Sequence, residues 1–181
     1  MVNPVEDLAA LLQRQKAARI AEGPVNAAVR RDRLQRAIDM LVRHRDVLCD
    51  ALDADFGNRP RVVSLTMDVM GAITSLKYAQ KHVARWMKPR HCKGVMPFSL
   101  FGARGWVEYQ PKGVVGILGT WNFPLYTMLA PLAYVLAAGN RSLIKPSELN
   151  PRTAETLARA VQECFDPAEV AVVNGGVDVG R

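Results

Sequence analysis

The feature that most constrains this sequence lies between Val114 and Val173, where three short apolar runs alternate with two stretches of helical length. Val114–Leu118 is a short β-branched run, Leu125–Ala138 is apolar and long enough for a helix, and Ser142–Ile144 is short again. Asn150-Pro151 then opens a stretch in which Ala154, Leu157, Ala158, Val161 and Phe165 keep helical spacing, and Val170–Val173 closes the pattern. Such an alternation predicts β-α-β-α-β, the first half of a doubly wound parallel sheet, and so the α/β class. Strands made of a few consecutive apolar residues are predicted to be covered on both faces. The third strand runs into Val173-Asn174-Gly175-Gly176 with five residues remaining, so the sheet is expected to be unfinished and the chain truncated.

The residues before this pattern read as helices. Leu8, Leu11, Leu12 and Ala18 recur at helical spacing from Pro4 to Glu22, where Gly23-Pro24 interrupts. A second stretch from Asn26 carries Leu34, Ile38, Leu41, Leu48 and Leu52 on one stripe and meets a glycine stop at Gly57, with Pro60 beyond. In a third, Leu65, Val69, Ala72, Leu76, Ala79, Val83 and Trp86 fall at alternating steps of four and three, as in a long helix lying along another element. None of the three shows a polar constellation on one face, and they are expected to be scaffold. Lys88-Pro89 ends the helical texture, Met96–Phe101 is irregular and apolar, and Ala103–Gln110 alternates as an extended ribbon would. The expected division is 1–97 (helical), 98–112 (ribbon) and 113–181 (sheet half).

Composition narrows the function classes. With 49% apolar residues in 181, the chain can bury a core, and a disordered or fibrous reading is excluded. No apolar run reaches membrane-spanning length; the nearest, Tyr126–Ala138, is short and contains Thr127 and Pro131. Met1–Leu12 holds Glu6 and Asp7 and lacks the pattern of a secretory signal, so a soluble, cytoplasmic protein is expected, with no membrane segment in this stretch. Cys49, Cys92 and Cys164 form no paired motif, which argues against a disulfide framework and against a metal site. The net charge of +7 sits in the helical part: residues 1–90 hold 16 Lys and Arg against 10 Asp and Glu. Those cations are interleaved with acids and nearly free of aromatics that could stack on bases, so a solvated face is favoured over a basic nucleic-acid-binding helical protein.

Among motifs, Gly113, Gly116 and Gly119 lack the spacing of a dinucleotide fingerprint, and Gly175, Gly176 and Gly180 suggest a turn only. Gly119-Thr120-Trp121-Asn122-Phe123-Pro124 is more informative, because it sits where the first strand ends, on the side where open α/β sheets bind ligands. Asn122 either caps the following helix or presents an amide donor at the mouth of a site. Lys145-Pro146-Ser147-Glu148 holds the equivalent place after the second strand, as a plain surface loop or as a grip on ribose hydroxyls. Cys164 lies on an inward helical stripe and reads as a structural thiol, and His91-Cys92 as an incidental neighbour pair.

Taken together, Gly113–Leu125, Pro131-Leu132-Ala133 through Ala137-Ala138-Gly139-Asn140, and Lys145-Pro146-Ser147-Glu148 resemble the start of the cofactor domain of aldehyde dehydrogenases. The Gly-Thr-Trp-Asn variant and the Val173-Asn174-Gly175-Gly176 ending are most similar to the class-three branch, which includes coniferyl aldehyde dehydrogenases. The resemblance implies NAD- or NADP-dependent oxidation of an aldehyde to the carboxylic acid, with a thiolate attacking the carbonyl. It implies Asn122 as oxyanion donor, Thr120, Trp121, Lys145 and Glu148 as cofactor-binding residues, and no metal. The ribbon implies a homodimer. The nucleophilic cysteine and the glutamate base are expected beyond Arg181 in the family order, so this chain alone is expected to be inactive. A non-catalytic remnant acting only through subunit association is the competing expectation.

Overall fold

The computed structural model describes residues 4–92, 94 and 96–180; Met1–Asn3 and Arg181, on which the expected absence of a signal and the chain's end rest, lie outside the described residues. Helix α1 (Pro4–Glu22) is followed by α2 (Ala27–Phe56). Asn26 starts α2 by accepting the N–H groups of Ala28 and Val29 at 3.0 and 3.1 Å, and Gly57 ends it at φ 77°, a conformation a side chain would strain. The third helical stretch is continuous but not uniform. It begins as α3 (Arg61–Val63), widens into a π-helical segment (Ser64–Met70), and continues as α4 (Gly71–Trp86).

The long helix expected from the four-and-three spacing is present, with Val69, Ala72, Leu76, Ala79 and Val83 all buried. The wide turns were not expected. Within them the neighbours Asp68 and Val69 are both buried, at 0% and 2% exposure, so these helices carry a buried polar group that the scaffold reading did not include.

A two-stranded antiparallel ribbon follows, β1 (Arg90–Cys92) with β2 (Gly105–Val107), pairing His91 with Trp106. Its first strand lies before residue 98, so the ribbon draws on both sides of the expected boundary. Strand β3 (Val114–Leu118), helix α5 (Pro124–Ala137), strand β4 (Arg141–Lys145), helix α6 (Pro151–Cys164) and strand β5 (Val170–Val172) give the β-α-β-α-β order read from the sequence. The strands are parallel in the order β3-β4-β5, with Ile117, Ile144 and Val172 in register.

Helix α2 packs against α4, α5 and α6, and α1 lies against β3 and β4. Leu34, Leu41, Leu48 and Leu52 of α2 interlock with Leu76, Leu129, Leu132 and Leu157 in one core. Burying a leucine stabilises by about 2 kcal/mol, whereas an exposed ion pair gives under about 1 kcal/mol. The apolar stripes therefore set the arrangement of the helices. Burial on both faces holds for β4 but not for β3, whose Leu118 is 65% exposed. The cause is position: β3 is an edge strand among the described residues, and α1 crosses only part of its outer face.

Buried charge ties α1 to the sheet. Arg33, 2% exposed, pairs with Glu22 at 2.6 Å and Glu169 at 2.8 Å, while Arg141 reaches Glu22 at 2.8 Å. Arg36 holds the other Glu169 oxygen at 2.8 Å. Among the described residues, no helix is long and apolar enough to cross a membrane.

Candidate active site

The carboxyl ends of β3 and β4 open side by side. The Gly119 amide hydrogen-bonds to the Lys145 carbonyl at 2.8 Å, so the two loops leave the sheet in contact. Gly119 has no room for a side chain: a Cβ would stand 2.7 Å from Met128 and 3.4 Å from the Pro146 backbone. From there the chain turns through Thr120, Trp121 and Asn122, all exposed, into α5, whose first position is Pro124.

Asn122 does not cap α5. Its side-chain oxygen accepts from the Thr120 hydroxyl at 2.7 Å, and its amide nitrogen has no partner among the described residues. The capping group comes instead from the π segment. Asp68 Oδ1 accepts the Leu125 and Tyr126 N–H groups at 3.1 and 3.2 Å. Its Oδ2 pairs with Arg59 Nη2 at 2.7 Å, and Arg59 Nη1 donates to the Asn122 carbonyl at 3.0 Å. Burial pushes the Asp68 carboxyl upward from its ordinary value, against the pull of the Tyr126 N–H, Arg59 and the Leu125 N–H.

The same device recurs at α6. Asn150 precedes Pro151 but makes no side-chain cap; Asp55 of α2 accepts the Arg152 and Thr153 N–H groups at 3.1 and 2.8 Å. An acid at each helix start also faces the positive end of the helix dipole. No local pattern announces either aspartate, because the partners lie 57 and 97 positions apart.

After β4, Lys145 and Glu148 are brought together, with Nζ 3.0 Å from Oε2 and 3.2 Å from the Pro146 carbonyl. The lysine side chain is 13% exposed and the glutamate 46%, so the glutamate is the more outward of the two. Leu118, Gly119, Val177 and Gly180 complete a recess of about 240 Å³ beside them. A second recess of about 200 Å³, bounded by Ser147, Pro151, Asn174 and Gly175, shares Glu148 as its rim.

The three thiols are not activated by this arrangement. Burial pushes the Cys49 and Cys164 thiols up, away from the reactive thiolate. Cys92 is exposed on β1, where the side chain of adjacent His91 points to the opposite face of the ribbon.

The strand order and the paired loops at the strand ends define an open α/β sheet with a crevice at the carboxyl ends of its strands. The aldehyde dehydrogenase family profile matches residues 5–181, and the chain belongs to that family. It is 46% identical over 175 residues to the coniferyl aldehyde dehydrogenase of a Pseudomonas species, covering 97% of this chain and 36% of that protein. It is 48% identical over 173 residues to a protein named probable coniferyl aldehyde dehydrogenase from Caulobacter vibrioides, covering 94% of this chain and 36% of that one. A solved structure of Staphylococcus aureus AldH in a substrate-bound state superposes with a TM-score of 0.88 at 25% identity, over 96% of this chain and 37% of that one. The chain thus spans about 36% of the length of these two sequence relatives.

Proposed function

We propose that the protein oxidises an aldehyde to the carboxylic acid with NAD or NADP, with an aromatic aldehyde of the coniferyl type as substrate class. The observation that carries this reading is the Asn122 amide. It stands exposed at the carboxyl end of β3, its oxygen held by Thr120 and its nitrogen unpaired among the described residues. When a nucleophile adds to a carbonyl, charge grows on the oxygen, and a donor already in place stabilises it without reorganising. Asn122 is such a donor.

The residues after β4 suit a dinucleotide. Glu148 offers acceptors and Lys145 donors to vicinal hydroxyls, and the two recesses meeting at Glu148 match a sugar and the flat base beside it. Thr120 and Trp121 border the same crevice from the β3 side. When bound, NAD or NADP supplies the hydride acceptor. Met67, Met70, Trp121 and Tyr126, all exposed, lie on the segments flanking Asn122 and suit a flat aromatic substrate. Two relatives at 46% and 48% identity carry the coniferyl name, which supports that choice. Exposed Trp106 and Tyr109, on and beside the ribbon, support pairing into a homodimer, and three free cysteines accord with a reducing, cytoplasmic setting.

The test is aldehyde-dependent NAD(P)H formation by the complete protein. Asn122→Ala is expected to lower kcat about 10²–10³-fold while leaving cofactor binding unchanged. A kcat within a few-fold of the parent would refute the oxyanion role. In the same assay, the 181 residues alone are expected to give no cysteine-dependent turnover, since none of their thiols is activated.

A further inference from the structure

Arg59 and Asp68 form a buried ion pair beneath the Asn122 loop, with side chains 8% and 0% exposed. Such a pair contributes little net stability, because desolvating two charges offsets most of their attraction. This one carries a further cost: Arg59 Nε is buried without a partner among the described residues, and an orphaned buried donor is destabilising. What the pair achieves is geometric. Arg59 grips the Asn122 carbonyl with Nη1 while Nη2 holds Asp68, and its guanidinium lies over the rings of Phe56 and Phe123 at 4.4 and 5.2 Å. Asp68 in turn holds the Leu125 and Tyr126 amides. The loop is therefore fastened at Asn122 itself and again three and four residues later.

We infer that Arg59 and Asp68 are positioning residues that fix where the Asn122 amide points. The inference rests on the proposed oxyanion role only for its kinetic consequence. The arginine is suited to the task because a planar fork can hold a carboxylate and a carbonyl together, which the single ammonium of a lysine cannot do in the same geometry. Asp68 meets it from the buried side of the π segment.

Amide exchange in this chain tests the clamp directly. First-turn amides have no acceptor within their own helix, so protection at Leu125 and Tyr126 reports Asp68 alone. Asp68→Asn and Arg59→Met are expected to raise exchange at Leu125 and Tyr126 about ten-fold, with Leu132 and Leu136 unchanged. Arg59→Lys is expected to keep protection at those two amides while loosening Thr120–Phe123, seen as faster amide exchange at Trp121, Asn122 and Phe123. Arg61→Met, which removes an exposed arginine paired with Asp46 and Asp50, is the control and is expected to change neither.

In the complete protein, Arg59→Met is expected to lower kcat for aldehyde at least ten-fold at unchanged KM for NAD. It is expected to add little when combined with Asn122→Ala, because both changes remove the same donor. Exchange that rises equally at Leu125 and Leu132, or kinetic effects of Arg59→Met and Asn122→Ala that add in full, would overturn the inference. If Asn122→Ala leaves kcat unchanged while Asp68→Asn still frees the two amides, the clamp stands and the oxyanion reading falls.

Discussion

Glu148 carries its charge under tight local control. Its own backbone N–H and the Lys145 ammonium hold the carboxyl below the usual glutamate range, so the group is ionised at neutral pH. A 2′-phosphate on the adenosine ribose would meet that charge, and NAD is expected to be preferred, with NADP tolerated because Lys145 sits 3.0 Å away. Glu148→Gln keeps a hydrogen-bonding group and removes the charge, so the NAD:NADP ratio of kcat/KM is expected to fall. Steady-state kinetics with both cofactors decides it, and an unchanged ratio would place Glu148 away from the ribose.

At the scale of elements, α5 and α6 begin in the same way. Each opens with a proline at its first position, and each borrows its cap from an aspartate of the amino-terminal helical part, Asp68 for α5 and Asp55 for α6. The helical part thus does more than cover the sheet, since it completes the ends of the helices that border the crevice. Asp55→Ala exposes no new cavity but strips two N–H groups of their acceptor, and a cap of this kind is worth about 0.5–2 kcal/mol. A loss of unfolding free energy of that size, read from a lowered urea midpoint at unchanged m, is expected, with exchange rising at Arg152 and Thr153 before any other part of α6. A midpoint equal to the parent's would mean that water replaces the carboxylate without loss.

Over the whole molecule, the charged cluster of Glu22, Arg33, Arg36, Arg141 and Glu169 joins α1, α2 and the sheet. Burial works against the Glu169 carboxylate, yet Arg36 and Arg33 hold it below the ordinary glutamate value of 4.5. A depressed folded-state value means that the unfolded chain takes up the proton first. The contribution of Glu169 is therefore intact above about pH 4.5 and is lost as pH falls through its lower folded value. Asp68, pushed upward by burial, acts in the opposite sense and does not deepen this loss. The thermal midpoint is expected to stay level from neutral pH to about 5 and then decline. Glu169→Gln is expected to start lower and decline less, and equal declines in both proteins would remove Glu169 from the account.

The division between sequence and tertiary structure follows range. Val114–Leu118 and Pro4–Glu22 have the predicted bounds, and Leu34, Leu48 and Leu52 are buried as their spacing implied, because hydrophobic periodicity is written in neighbouring residues. Lys145, at the end of β4, and Glu148 were read only as residues of one polar stretch after the second strand, and their ion pair at 3.0 Å is a finding of the structure. What Asn122 does at the head of α5 was not legible either. Locally it had the chemistry of a cap, and only the arrival of Asp68 from 57 residues away relieved it of that task and left its amide free. Asp68 lies in a π segment whose wide turns the four-and-three spacing did not announce, and it pairs with an arginine whose partner could not be read from a basic stretch. Local pattern determined the elements and their order; long-range packing, which alone brings buried charges to helix ends, decided how the crevice is held.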